Sequence, residues 1–222
     1  MKTTVICYVQ NREQHLRISL PSWLQCPEVA EVIVIDAGSR IPVSVNVLYD
    51  NIERVRVIRI SPVPRTVALN VAIGLAETET VLRLDADYIL PPFYPFFSSN
   101  ALEPGVFVAS GDSRTKDDWH LYGLLWAYKS DLLKVNGYNE RLVTWGYEDA
   151  DLRNRLEGIG LKRRTLGWNT VIHIPHPDWT RTTGVHGKTA RTHKELNAAN
   201  KRLAEQQPWT ANDHMSTIED FQ

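Results

Sequence analysis

Three short apolar runs, each continuous rather than alternating and each ending in polar or acidic residues, set the limits on how this chain folds. They are Thr3–Val9, Glu31–Ile35 and Thr80–Leu84, rich in β-branched residues. A strand that is apolar at successive positions buries both faces, which happens mainly in parallel sheets covered by helices on each side. The segments between them carry helical periodicity. Leu16, Leu20 and Leu24 share one face of a predicted helix that Asn11 caps and Pro21 bends or breaks; Val67, Leu69, Ala72, Ile73 and Ala76 share a face over Thr66–Ala76. Strand–helix–strand alternation of this kind predicts an α/β domain with a mostly parallel central sheet flanked by helices.

Val43–Leu48 and Arg56–Ile60 are further predicted strands, and Pro91-Pro92-Phe93-Tyr94-Pro95 reads as a turn. Val106–Ala109 and Leu121–Ala127 are expected to pair as a small antiparallel extension. Asp131–Val135 reads as a short helix stopped by Asn136-Gly137, and a longer helix is expected from about Glu148 to Glu157. Strands are expected near Lys162–Thr165 and Thr170–Ile174, then a polar helix over Thr189–Gln206 and a frayed last dozen residues.

With 222 residues, 43% of them hydrophobic and 23% charged, the chain has material for one substantial core and is not a disordered segment. A formal net charge of −1 gives no global field for nucleic acid. Its two cysteines, Cys7 and Cys26, have no metal-type spacing. Met1-Lys2-Thr3-Thr4 runs straight into the first strand, and no apolar run reaches the length of a transmembrane helix. The expectation is a soluble protein of the reducing cytoplasm.

The polar residues cluster at strand ends, where α/β sheets bind ligands. Asp85-Ala86-Asp87 follows Thr80–Leu84, and is either a set of ordinary strand-end acids or caps or, since hard carboxylate oxygens there suit a divalent cation that keeps positions open for phosphate, a metal site. Trp145-Gly146-Tyr147-Glu148-Asp149-Ala150-Asp151 opens a helix. Acids favour a helix N-terminus for capping alone, but capping does not account for the preceding Trp-Gly; a base and a hydrogen-bond acceptor beside a ring-shaped substrate does. His173 and His176 are either a pair of surface histidines or, beside an acidic metal site, two imidazoles whose spacing lets them converge on one ion. Asp36-Ala37-Gly38-Ser39 is either a nucleoside contact or a plain strand-to-helix turn. Asn11-Arg12 is either an anion site or a surface pair. Arg65, stiffened by Pro62-Val63-Pro64, either faces a diphosphate or faces solvent. The basic stretch Arg181–Arg202 is either a loop that closes over a leaving group or a solvated linker.

In this order, these residues resemble the inverting family 2 glycosyltransferases and the related β-1,4-galactosyltransferases, which share the nucleotide-diphospho-sugar transferase (GT-A) fold. The resemblance runs from about Val5 to about Pro177, and Trp145–Leu152 is its most specific part. It implies transfer of a sugar from a nucleoside-diphosphate sugar, a UDP-sugar, to an acceptor hydroxyl, with Mn²⁺ or Mg²⁺. By that resemblance Asp149 is the catalytic base and Glu148 binds the acceptor. Asp87, the second acid of the Asp-x-Asp (DXD) triplet, binds metal with His176. His173 stands where the galactosyltransferases carry a thioether. Asn11, Arg12, Asp36, Arg65, Asn70, Asp85, Trp145 and Gly146 line the nucleotide-sugar site, and Gln10 replaces an Arg of some relatives.

The expected organisation is a catalytic domain over residues 1–178, with a nucleotide part to about 90 and an acceptor part after it. A basic loop and helical tail over 179–222 pack on the same domain. The acceptor is a glycan, a lipid-linked sugar, a protein or a modified base. Two other readings stay open: a sugar nucleotidyltransferase, although Val9-Gln10-Asn11-Arg12 lacks that class's Gly-rich basic loop, and a nucleotide-sugar-binding module without activity.

Overall fold

The computed structural model describes residues 1–44, 52–111, 121–167, 170–176 and 193–221. Its centre is a seven-stranded sheet built from β1 (Thr3–Val9), β2 (Val29–Ala37), β3 (Val55–Ile60), β4 (Thr80–Arg83), β6 (Val106–Ser110), β7 (Leu125–Tyr128) and β8 (Lys162–Leu166), in the order β3-β2-β1-β4-β7-β6-β8. β3, β2, β1 and β4 run parallel, β7 runs against β4 and β6, and β8 is parallel to β6. A second, two-stranded antiparallel sheet joins β5 (Tyr88–Ile89) to β9 (Ile172–His173).

Alternation along the strands explains why the runs are apolar throughout. Val5, Cys7 and Val9 of β1, with Val32 and Val34 of β2, enter one core with Leu16, Leu20, Trp23 and Leu24 of helix α1 (Glu13–Leu24). Ile6, Ile33 and Ile35 face the other way, into a second core with α2 (Arg65–Leu75) and with Leu152 and Leu156 of α5 (Glu148–Gly158). Each fully buried aliphatic side chain contributes roughly 1.5–3 kcal/mol. A one-residue slip in register would exchange the two sets.

Several local expectations change. Asn11 does not cap α1: its φ is +56° and Arg12 is the N-cap residue. Pro21 does not break α1, because Trp23 is fully buried beyond it and donates Nε1–H to the Tyr88 carbonyl at 2.7 Å, holding the last turn on the sheet. The short helix α3 (Phe96–Ser99) follows the proline-rich turn. Helix α4 (Lys129–Lys134) ends as expected at Asn136-Gly137, both with φ +59°, and Gly137 N donates to Leu132 O at 2.8 Å. Gly137 also has no room for a Cβ, which would run into Asn70 Oδ1. Of the expected strand Val43–Leu48, residues 45–48 lie outside the described residues, as do residues 181–192 of the basic stretch; α6 spans His193–Gln206.

The last residues are not frayed. Trp209 is buried and donates Nε1–H to Asn136 O at 2.6 Å, while Asn136 Nδ2 donates to Thr210 O and Asp213 O at 3.0 and 2.8 Å. Arg141 pairs with Asp213, and Ser216 donates through N and Oγ to Glu140 at 2.9 and 2.7 Å. Polar composition concealed an anchor whose indole has both an apolar body and a donor. No helix among the described residues is long and apolar enough to cross a membrane. Trp209→Ala is expected to cost about 3 kcal/mol in urea unfolding; a frayed tail would make it neutral.

Candidate functional site

The sheet turns to opposite sides after β1: β2 lies on one flank and β4 on the other. Loops leaving adjacent strands in opposite directions open a crevice at the carboxyl edge. Arg12, after β1, and Asp85 and Asp87, after β4, stand at this edge.

The Asp87 cluster depends on the small sheet. β5 pairs with β9 so that Tyr88 lies opposite His173, and Ile174 N donates to Asp87 O at 2.8 Å. His176 Nε2 is then 2.9 Å from Asp87 Oδ2, His173 Nε2 is 3.7 Å from it, and Arg12 Nη1 3.5 Å. One ligand atom from each of Asp87, His173 and His176 lies within 4.8 Å of the others. Burial and the neighbouring Asp85 push the Asp87 carboxyl up, against the pull of Arg12 and His176. One carboxylate and two imidazoles, with a second acid nearby, form a donor set that fits a divalent cation. The His15 ring meets His176 edge-on at 5.8 Å, and its buried Nδ1 has no hydrogen-bond partner.

Across the crevice, the chain enters α5 through Gly146 and Tyr147, with φ of +98° and +73°. The positive φ favours glycine at 146, and a Cβ there would also sit tightly, 3.0 Å from Asn197 Nδ2 of α6. Asn200 Nδ2 donates to the carbonyls of Thr144 and Gly146 at 3.0 and 2.6 Å, and Trp145 packs against His193 with the rings tilted by 38° and centroids 4.5 Å apart. Helix α6 therefore fixes the turn that presents the two acids. Glu148 is buried; Arg65 Nη1 donates to its Oε1 at 3.3 Å, and its buried Oε2 has no partner. Arg65 also lies over the Tyr8 ring at 5.5 Å. Burial pushes the Asp149 carboxyl up to about 7, with Glu148 and Asp85 adding to the rise and Arg83 and Arg153 opposing it.

Arg83 joins the two sides. Its Nη1 donates to Asp149 Oδ1 at 2.5 Å and to the Gly123 carbonyl, while Nη2 donates to Asp85 Oδ1 at 2.8 Å. Sequence reading passed over Arg83, though a charge inside an apolar strand two residues before an acid was a usable signal. Asn197, Asn200 and His15 were missed as well, and nothing in their local sequence marks them.

Other predicted site residues are engaged within the fold. Asp36 accepts from Ser39 N at 2.8 Å, Val43 N at 3.0 Å and Arg59 Nη1 at 3.1 Å. Asn11 N donates to Ser39 Oγ at 2.9 Å and Asn11 Oδ1 accepts from Arg40 N at 2.8 Å, tying the loops after β1 and β2 together. Gln10 Nε2 donates to Ala37 O at 2.9 Å. Asn70 clamps the loop before the second acid cluster, donating to Tyr138 O and Glu140 Oε1 at 2.9 and 2.7 Å and accepting from Tyr138 N at 2.7 Å.

Residues 105–177 match the family described as the N-terminal domain of galactosyltransferase. Chondroitin sulfate synthase 3 of Mus musculus is 38% identical over 73 residues, 33% of this chain and 8% of that protein; its Homo sapiens counterpart is 41% identical over 56 residues, 25% and 6%. The matches therefore span less than a tenth of those relatives. Among solved structures, the catalytic domain of Drosophila β-1,4-galactosyltransferase 7 in complex with xylobiose aligns over 98% of this chain and 83% of that one, with TM-score 0.61 and 16% identity. GalNAc-T7 with UDP, GalNAc and Mn²⁺ aligns over 92% and 48%, with TM-score 0.67 and 14% identity. A mannosyltransferase of Pyrobaculum calidifontis in complex with GDP-Man and Mn²⁺ covers 74% and 54%, with TM-score 0.57 and 17% identity. The architecture of this chain is that of these enzymes, the GT-A fold.

Mn²⁺ should raise the thermal midpoint of the wild-type protein, because a ligand that binds only the folded state stabilises it. Asp87→Ala and His176→Ala should lose that rise; a wild-type-sized Mn²⁺ shift in either variant would exclude the cluster as the ion's site.

Proposed function

We propose that this chain is a metal-dependent glycosyltransferase of the inverting kind, moving a sugar from a UDP-sugar to an acceptor hydroxyl. One observation carries the reading. A carboxylate–imidazole cluster and a buried carboxyl poised near neutrality lie at one sheet edge, linked through Arg83 and Asp85. The chondroitin sulfate synthase and galactosyltransferase likenesses support it. Residues to about 90 would hold the nucleotide and those from about 91 to 178 the acceptor.

Asp87, His173 and His176 would hold Mn²⁺ or Mg²⁺, which when bound neutralises charge on a diphosphate leaving group. Arg12, beside Asp87, adds a fixed positive charge on the same side. Asp149 takes the proton of the acceptor hydroxyl as that oxygen attacks the anomeric carbon from the face opposite the diphosphate. The bond to the diphosphate oxygen breaks as the new glycosidic bond forms, and configuration inverts. Glu148, with Oε2 left without a partner and Oε1 steadied by Arg65, accepts a hydrogen bond from an acceptor hydroxyl. Trp145 offers a ring face for the sugar. Asp85 faces the donor's ribose or sugar. A glycan acceptor agrees with the xylobiose bound in the Drosophila enzyme.

The reading predicts transfer from at least one member of a UDP-sugar panel in Mn²⁺, with the anomeric configuration reversed in the product by NMR. Retained configuration, or no transfer from any donor, contradicts it. Asp149→Asn should lower kcat by about 1,000-fold while Mn²⁺-dependent UDP binding by calorimetry persists. Because the base works only when deprotonated and its carboxyl lies at about 7, kcat/KM should fall tenfold per unit below that pH and level off above it. A flat profile between pH 5.5 and 8.5, on the order of the range a carboxyl shifted this far titrates over, would remove Asp149 from the role.

A further inference from the structure

The proposed chemistry has no task for a cation buried within the sheet. Arg83 is 1% exposed, at the end of a strand whose other residues are Thr80, Val81 and Leu82. Burying a guanidinium is costly unless its donors are met by ions or carbonyls of matching geometry. Here Nη1 reaches Asp149 Oδ1 at 2.5 Å and the Gly123 carbonyl, Nη2 reaches Asp85 Oδ1 at 2.8 Å, and Nε has no partner.

We propose that Arg83 is a positioning residue, whose planar fork holds the Asp149 carboxylate at a fixed distance and orientation from Asp85. This rests on the glycosyl-transfer reading, and says how that site keeps its base aligned with the donor. An ammonium is a point charge and cannot hold two carboxylates in one plane. Gly123 is a second, independent sign that the network is built in. A Cβ at that position would lie 2.5 Å from both Arg83 Nη1 and Asp85 Oδ2, so no larger residue fits without moving the fork. Gly123 does not have a positive φ, so its backbone conformation is not what demands glycine.

Arg83 also acts on the charge of the base. Asp149 is faced by Arg83 and Tyr88 from the sheet, Asp85 from the strand end, Glu148 and Arg153 from α5, Tyr138 from the preceding loop and Arg65 from α2. Of the cations, Arg83 touches the carboxylate directly.

Three variants test this: Arg83→Lys, Arg83→Gln and Gly123→Ala. They are followed by transfer kinetics, calorimetric binding of UDP with Mn²⁺, and NMR titration of ¹³C-labelled aspartate, with the Asp149 signal assigned through Asp149→Asn. Arg83→Lys keeps the charge and loses the fork, so kcat should fall about 100-fold while UDP binding holds. Gly123→Ala keeps every charge and should lower kcat likewise. Arg83→Gln should raise the Asp149 midpoint by about one unit or more. An unchanged kcat in Arg83→Lys and Gly123→Ala overturns the proposal, as does an unmoved midpoint in Arg83→Gln. If Arg83→Gln does not fold by circular dichroism, the other two variants decide alone. If the wild type transfers no sugar, the functional reading fails, and the Asp149 midpoint still decides whether Arg83 governs that carboxyl.

Discussion

A guanidinium enclosed in the sheet must be met by negative charge, and in this chain meeting it determines where two distant segments go. Arg83 and Asp149 are 66 positions apart in sequence, and their contact brings the first turn of α5 against the end of β4. With Asp85 on the other nitrogen, the cation lies between two acids that would otherwise repel one another at a desolvated edge. Removing either acid leaves a buried charge undercompensated, so packing and electrostatics constrain the same small volume. The raised Asp149 carboxyl follows from this balance: burial and neighbouring acids outweigh the pull of the guanidinium.

The rest of the architecture works as a frame for that contact. β4 is the last strand of the parallel set, and β7 runs back against it, so the carboxyl ends of β1 and β4 face a crevice while later elements supply its far wall. The β5–β9 pair is only two residues long on each side, yet its register sets His173 and His176 beside Asp87. Helix α6 and the tail act at longer range. Asn200 holds the turn at Gly146, while Trp209, Asp213 and Ser216 fasten the loop 136–141 that Asn70 also grips. Such supports keep a site within the narrow tolerances that proton transfer requires.

Much of this was legible in the chain. Continuous apolar runs imply burial on two faces, and Val5, Ile6 and Cys7 do divide between two cores. Acids directly after such runs imply a polar sheet edge, and Asp85, Asp87 and Asp149 gather there through Arg83 and the turn between them. What could not be read depends on tertiary partners. Asn11 looks like a helix cap, but its side chain is used by Arg40 of another loop and its backbone turns left-handed. Asp36 sits where a ligand contact was expected, and its oxygens serve Ser39, Val43 and Arg59. Asn70 likewise bonds Tyr138 and Glu140. The tail looked frayed because one indole, Trp209, carries an anchor that polar composition hides.

The most direct test of the central claim is a crystal structure with Mn²⁺ and a UDP-sugar bound, using anomalous scattering to locate the ion. The account predicts an anomalous peak coordinated by Asp87, His173 and His176, with the diphosphate on that side of the anomeric carbon and the Asp149 carboxylate on the opposite side. A manganese peak away from those three side chains, or a donor whose anomeric carbon lies out of reach of any acceptor held by Asp149, would contradict it.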